Sequence, residues 1–294
     1  MENNKFEALC ERLGVKAEKR EVVKNNNTVM VGYMLGEKNI RPTIYENTIA
    51  EHDEVELIKI IADITEGLED TDFIFTKENA KLMLMFGVRN KEMNKGNDDV
   101  VTFDLPEFKE LEGYFYLKLT ESDCVKLGIL NRDEDGCAAV TIHKGLMDIL
   151  DMTIEEMKEY ADINTFNEMT LQPMSNVIRE ILCDEGIDPI PWDNEEIEDI
   201  DDVLWVASVF NKSKGAGILA SKKCMKRIKE FGKRRNAKTL AILPSSIHEV
   251  IITKLESIEQ KNEFDSMVKE VNETQVKHID RLADNAFVIE TEDK

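Results

Sequence analysis

Apolar residues in this chain come in short bursts, each cut off within a few positions by charge, glycine or a turn cluster. A membrane span needs roughly 18 or more consecutive apolar residues, and no stretch comes near that. Residues Met1 to Cys10 carry Glu2, Lys5 and Glu7 without an apolar run, so they do not read as a secretory signal. What this pattern does support is a set of short strands and amphipathic helices built into an α+β protein.

The bursts divide by period. Phe6, Leu9, Cys10 and Leu13 recur at helical spacing before Gly14, which predicts a short helix over 4–14. Val22-Val23, the turn cluster Asn25-Asn26-Asn27 and the run Val29 to Leu35 predict a hairpin. A third strand follows in IRPTIYEN (Ile40–Asn47), where Pro42 demands an edge or a strand start. Residues 51–67 predict a helix closed by Gly67, and Asn79 to Phe86 a second one capped by Thr76. Val100–Leu105, Tyr114–Leu119 and Ala138–Ile142 read as strands. Thr153 and Glu156 form a capping box that opens a helix through Tyr160, and Ser175 is placed as the cap of a helix running to Cys183. Further on, Val203–Phe210, Leu240–Leu243, Val250–Thr253 and Phe287–Ile289 read as strands, with a helix over 261–271.

The expected architecture is therefore antiparallel strand segments with packed helices, as one domain or two closely docked lobes. The division runs 1–188 for an N-terminal lobe, 189–202 for an acidic linker or loop, and 203–294 for a C-terminal lobe. Residues 193–202 hold seven acids and no base: Asp193, Glu195, Glu196, Glu198, Asp199, Asp201 and Asp202. Residues 221–236 reverse that charge, with Lys222, Lys226, Arg227 and Arg234 among eight bases against Glu230 alone. Met225, Ile228 and Phe231 give this segment an apolar stripe, so it predicts a basic amphipathic helix. The expectation is that the two segments neutralise one another.

Charge also bounds function. With 38 Lys+Arg against 60 Asp+Glu the net charge is −22, which repels phosphate backbones and anionic lipid and makes direct nucleic-acid binding unfavourable. Five cysteines at wide spacing, with no CxxC, are neither a disulfide framework nor a zinc ribbon and suit a reducing bacterial cytosol. Phosphate-binding glycine motifs are absent, and Gly215-Ala216-Gly217 lacks the third glycine of a dinucleotide fingerprint. Asn131, Asp133, Asp135 and Gly136 resemble the start of a calcium loop, but the twelfth position is Ile142, which predicts an acidic turn. The four histidines are scattered, with no zinc spacing, so neither metal nor cofactor is expected.

One segment tempts a catalytic reading. LPSSIHEV offers Ser245, Ser246, His248 and Glu249 within five residues. A serine–histidine dyad ordinarily draws its members from separate segments, so a Pro-Ser turn with hydroxyls bonded to local backbone is the plainer expectation.

The blocks GAGIL (Gly215–Leu219), LAILPSSIHEVII (Leu240–Ile252) and VNETQV (Val271–Val276) together resemble an uncharacterised domain family of anaerobic gut Firmicutes. Many members of that family sit in integrated and mobile elements. IRPTIYEN and AAVTIHKGLMDILDMTIEEMKEYA (Ala138–Ala161) are similar to its other blocks. The resemblance implies a cytoplasmic bacterial protein of one continuous α+β architecture and carries no activity. The function expected on these grounds is a non-enzymatic interaction or accessory factor that presents an acidic exterior to a protein partner, a basic one being the best match in charge. The alternatives are an acidic mimic of nucleic acid that inhibits a DNA- or RNA-binding protein, and a hydrolase built on Ser245, Ser246, His248 and Glu249, with His143 brought in by folding. A polar cavity where distant segments converge on an imidazole would weigh against the first.

Overall fold

The computed structural model describes residues 3–38, 41–67, 74–127, 138–183 and 203–292. It is an α+β fold of three antiparallel sheets with helices packed on them.

The N-terminal layer begins with α1 (Asn3–Arg12), followed by the hairpin β1 (Ala17–Val23) and β2 (Val29–Leu35). Strand β3 (Thr43–Tyr45) adds at the edge, directly after Pro42, where no ladder hydrogen bond has to be donated. A short α2 (Glu46–Glu51) begins inside the segment read as the third strand, and the helix predicted over 51–67 is α3 (Glu54–Gly67). Phe6, Leu9, Tyr33, Ile44, Leu57 and Ile61 form a core of their own for this layer.

The middle sheet is built around β6 (Leu111–Leu119). It pairs with β4 (Leu84–Asn90) along one side and with β5 (Thr102–Asp104) and β7 (Ala138–Thr141) on the other. Here the structure corrects the sequence reading. The helix predicted through Phe86 stops at Met83 (α4, Lys77–Met83), and the next residue begins β4. The reason is physical: Leu84 and Phe86 face one core while Met85 and Val88 face another, so a strand buried on both sides reads as a continuous apolar run. Thr76 caps α4 as expected, accepting from the amide of Asn79.

Below this sheet lie α5 (Glu121–Lys126), α6 (Lys144–Leu150) and α7 (Ile154–Glu168). The capping box of Thr153 and Glu156 is present, but α7 runs past Tyr160 to Glu168 and leads straight into β8 (Met169–Pro173), a strand the sequence reading missed. Ser175 lies inside α8 (Met174–Cys183), one residue beyond its start, so it is not that helix's cap.

The third sheet has the order β12-β10-β11-β9-β8. It contains β9 (Trp205–Val209), β10 (Thr239–Leu243), β11 (Val250–Lys254) and β12 (Phe287–Glu290). Strands β8 and β9 pair directly across residues 184–202, which lie outside the described residues. Helix α9 (Lys222–Arg234) covers one face with Cys224, Met225, Ile228 and Phe231, and α10 (Ile258–Thr274) covers the other with Phe264 and Val268. Alternation along β10 serves both: Leu240 and Ile242 face the α9 side, Ala241 and Leu243 the α10 side. The α9 side shares one continuous core with the middle sheet through Tyr114, Tyr116, Trp205 and Ile218. Each such side chain, fully buried, stabilises the fold by about 1.5–3 kcal/mol. Among the described residues no helix is long and apolar enough to cross a membrane.

Candidate functional site

The three layers meet around a cleft of about 640 Å³. Its walls come from the β1–β2 turn, β3 and its approach, the middle sheet, and three loops of the C-terminal sheet. One of these loops is LPSSIHEV, which the fold threads between two neighbours. The Ile247 amide donates to the Asp280 carbonyl (2.9 Å), and the Ala216 amide donates to the Ile247 carbonyl (3.1 Å). His248 is thereby held at the rim, its side chain 37% exposed.

Both ring nitrogens of His248 are engaged. Nε2 lies 3.4 Å from Asp280 Oδ1, and Nδ1 accepts from the Lys214 amide at 3.4 Å. Because Nδ1 accepts, the proton sits on Nε2 and points at Asp280. That hydrogen bond holds the Asp280 carboxyl below the usual aspartate range. The bond at Nδ1 is long, so this lone pair is weakly held.

The serines serve the backbone. Ser246 is buried; its Oγ accepts from the His248 amide at 3.0 Å and bonds the Glu249 carboxylate. It does not face the ring. Burial pushes the Glu249 carboxyl up. Ser245 accepts the Leu282 amide through its carbonyl. On the other side, Ser208 Oγ donates to the His248 carbonyl at 2.7 Å.

Lys214 stands beside His248 in an uncommon conformation. Its φ is 56°, and that of Lys212 is 52°, both left-handed in side-chain-bearing residues that pay for it in steric strain. Such strain persists only where the surroundings impose it, and here they do. The following residue must be glycine: a Cβ on Gly215 would lie 2.0 Å from Ser208 Oγ and 2.4 Å from the His248 carbonyl. Lys214 Nζ ends 3.3 Å from the Tyr114 hydroxyl and within 6 Å of the Tyr114 and Tyr116 ring centres.

A second imidazole lines the same cleft. His143 sits ahead of α6, with Asp99 Oδ2 3.1 Å from Nδ1 but outside hydrogen-bond geometry. Burial lowers its affinity for a proton, with Asp99 opposing that shift. Arg41 pairs with Glu18 (2.9 Å) and Arg89 with Glu112 (2.7 Å), so two of the four cationic side chains on the wall are already matched.

What holds the N-terminal wall in place is polar. Asn26, 2% exposed, donates to the carbonyls of His278 and Arg281 (2.7 Å each) and exchanges two hydrogen bonds with Asn94. Asn25 Nδ2 donates to Ile279 O, and His278 Nε2 meets Asn26 O at 3.1 Å. The triple asparagine is thus a turn, as read, and also a clamp. Asn26 and Asn27 take φ of 54° and 52°, which asparagine tolerates better than most residues.

The sequence reading reached two members of this cleft, His248 and His143. It missed Lys214, Asp280, Tyr114 and the clamp, which lie in separate stretches without a shared motif. A weak signal was present in GAGIL, whose glycine follows Lys214. The basic candidates stand elsewhere: Lys222 and Lys226 are exposed and line a second groove of about 980 Å³, while Arg227 bridges to Glu230 (3.3 Å) over the Phe166 ring. Arg234 is exposed in the last turn of α9. The acids Asp193, Glu195, Glu196, Glu198, Asp199, Asp201 and Asp202, and the Asn131–Gly136 turn, lie outside the described residues. Among the described residues no three His, Cys, Asp or Glu side chains gather as metal ligands.

Comparison with known proteins adds a family. The model of DUF5688, a family of unknown function, matches residues 3–290. This chain belongs to the DUF5688 family. No curated protein matches the chain, and no solved structure does. The match covers every element described above, so the cleft lies wholly within the DUF5688 region.

Proposed function

We propose that this DUF5688 protein binds a small organic molecule in the cleft and moves a proton on it through His248. One observation carries the reading: Lys214, His248, Asp280, Tyr114 and His143, from distant parts of the chain, line one cleft of about 640 Å³. That size suits a metabolite, since ligand sites span roughly 300–1,000 Å³. The lining also has the usual mixture, with Ile44, Phe75 and Leu127 among a few polar groups. Asp280 orients the imidazole, and the Nδ1 lone pair is the base once a ligand displaces the long Lys214 bond. Ser246 is occupied by backbone and Glu249, so the chemistry favoured is proton transfer without a covalent serine intermediate.

The test follows the two imidazoles by NMR while a panel of common metabolites is added. A binding ligand moves the ring signals of both His248 and His143. His248→Gln retains binding and loses turnover or solvent-proton exchange of that ligand. A panel that moves neither ring, or a ligand processed equally by His248→Gln, overturns the reading.

The net charge of −22 supports a second reading, a cytoplasmic interaction or accessory factor whose acidic exterior docks a basic protein. The buried thiols of Cys10, Cys124 and Cys224 fit a reducing compartment. A mobile-element setting and mimicry of nucleic acid are finer forms of the same reading. Neutralising the seven acids of 193–202 should then abolish a salt-sensitive pull-down, and an unchanged pull-down removes this reading.

A further inference from the structure

Resting on the cleft reading, we infer that the ligand is an anion, a small organic carboxylate or phosphate whose charged head sits against Lys214. The charge contrast is the first ground. The chain as a whole has 60 acids to 38 bases, yet the described lining carries Lys24, Arg41, Arg89 and Lys214 against Asp280, and with the two arginines matched by Glu18 and Glu112 two lysines still face that one lining carboxylate. Fields from like-charged walls are focused in a cleft and raise the local concentration of the opposite charge.

The second ground is which cations are free. Arg41 and Arg89 are matched by Glu18 and Glu112. Neither Lys214 nor Lys24 forms a direct ion pair among the described residues, Asp280 feeling the Lys214 charge only at longer range; each lies over tyrosine rings, Lys24 over Tyr45 at 4.8 Å. An ammonium left partly buried on aromatic faces retains most of its demand for an anion.

The third ground is placement. The left-handed backbone at Lys214 and the tight approach of Gly215 cost stability, and they set the Lys214 amide on the His248 ring while its ammonium reaches the Tyr114 hydroxyl. The Tyr114 hydroxyl, 3.3 Å from Nζ, can donate to the same anionic oxygen. The head group therefore rests on Lys214 and Tyr114 together, and the apolar wall takes the carbon body.

The experiment adds inorganic phosphate in one arm and succinate in the other, at constant ionic strength held with chloride. The Lys214 and Gly215 amide signals and the His248 ring signals are followed by NMR. Saturable shifts are expected in at least one arm, and which arm responds identifies the head group. Lys214→Gln should weaken binding at least tenfold, Lys214→Arg should restore most of it, and Lys269→Gln on exposed α10 should leave it unchanged. Shifts that rise linearly without saturation, or equal binding by Lys214→Gln, overturn the assignment. A neutral metabolite that moves the His248 ring while neither anion does overturns the anionic assignment and leaves the cleft reading standing. A His248 ring unmoved by either anion or by any metabolite overturns both.

Discussion

Replacing Asn26 tests whether a few amide groups hold one wall of the cleft. In the native chain its side chain donates to two carbonyls and accepts from Asn94 Nδ2. Asn26→Ala removes all three bonds. At about 1 kcal/mol net per hydrogen bond the loss is about 3 kcal/mol, and alanine in the left-handed region adds about 1 kcal/mol. The sum, about 4 kcal/mol, is a large share of the 5–15 kcal/mol typical of whole-protein stability. The N-terminal core shares no residue with the others, so the damage should fall first on docking. Urea unfolding followed by hydrogen exchange reads this directly: amides of the 278–281 turn and of Asn94 lose protection before those of β6. Asn26→Asp is the sharper variant because its shape is the same. It sets a carboxylate oxygen against two carbonyl oxygens now 2.7 Å from the donor. Two acceptor carbonyls against that oxygen favour its protonated form, so the penalty grows as pH rises above the unfolded value of about 4 and shrinks below it. A loss under about 1 kcal/mol for alanine, well below the net worth of three hydrogen bonds, or an aspartate variant no worse than alanine at pH 7, refutes the clamp.

Other outcomes follow from the same geometry. Gly215→Ala drives a methyl onto Ser208 Oγ and the His248 carbonyl, so stability should fall by about 1–3 kcal/mol on thermal unfolding and the His248 ring signals should move; unchanged ring signals would show that this close approach does not set the site. Glu249 has a folded pKa raised by burial, so its charge destabilises the fold as pH rises through the window between unfolded and folded values. Glu249→Gln should therefore gain stability relative to the native chain at pH 8 and lose that advantage near pH 4, as read by urea midpoints (about 4.3 being the unfolded value). Asp280 behaves oppositely: its folded pKa is depressed, so its contribution is complete above the unfolded value and is lost as pH falls through the folded one. Asp280→Asn should flatten that acid limb, and an unaltered limb argues against the His248 bond. Thr153→Ala removes the α7 cap and should lower stability by about 1 kcal/mol in the same urea assay.

How far the sequence could be read depends on whether the deciding forces were local. The capping box at Thr153, the cap at Thr76 and the amphipathic α9 were legible because hydrogen bonds and periodicity within a dozen residues settle them. Pro42 placed β3 at an edge because its missing N–H is a local fact. Strand β4 was illegible for the opposite reason. Its burial on two faces is imposed by α7 and by the α9 core, and neither is encoded near Leu84. The site extends the same argument. His248 stood out because serine, histidine and glutamate were adjacent, yet adjacency proved the wrong criterion: Ser246 and Glu249 bond one another, and the groups that meet the ring come from Lys214 and Asp280. Charge is an average of the same kind. A total of −22 describes the exterior as a whole and does not say where cations gather. Two lysines share the cleft because the β1–β2 turn, docked by Asn26, brings Lys24 to the wall that Lys214 also lines. The clamp and the cationic wall are therefore one piece of physics. Undock the asparagine turn, and the cleft loses both a side and half of its free positive charge.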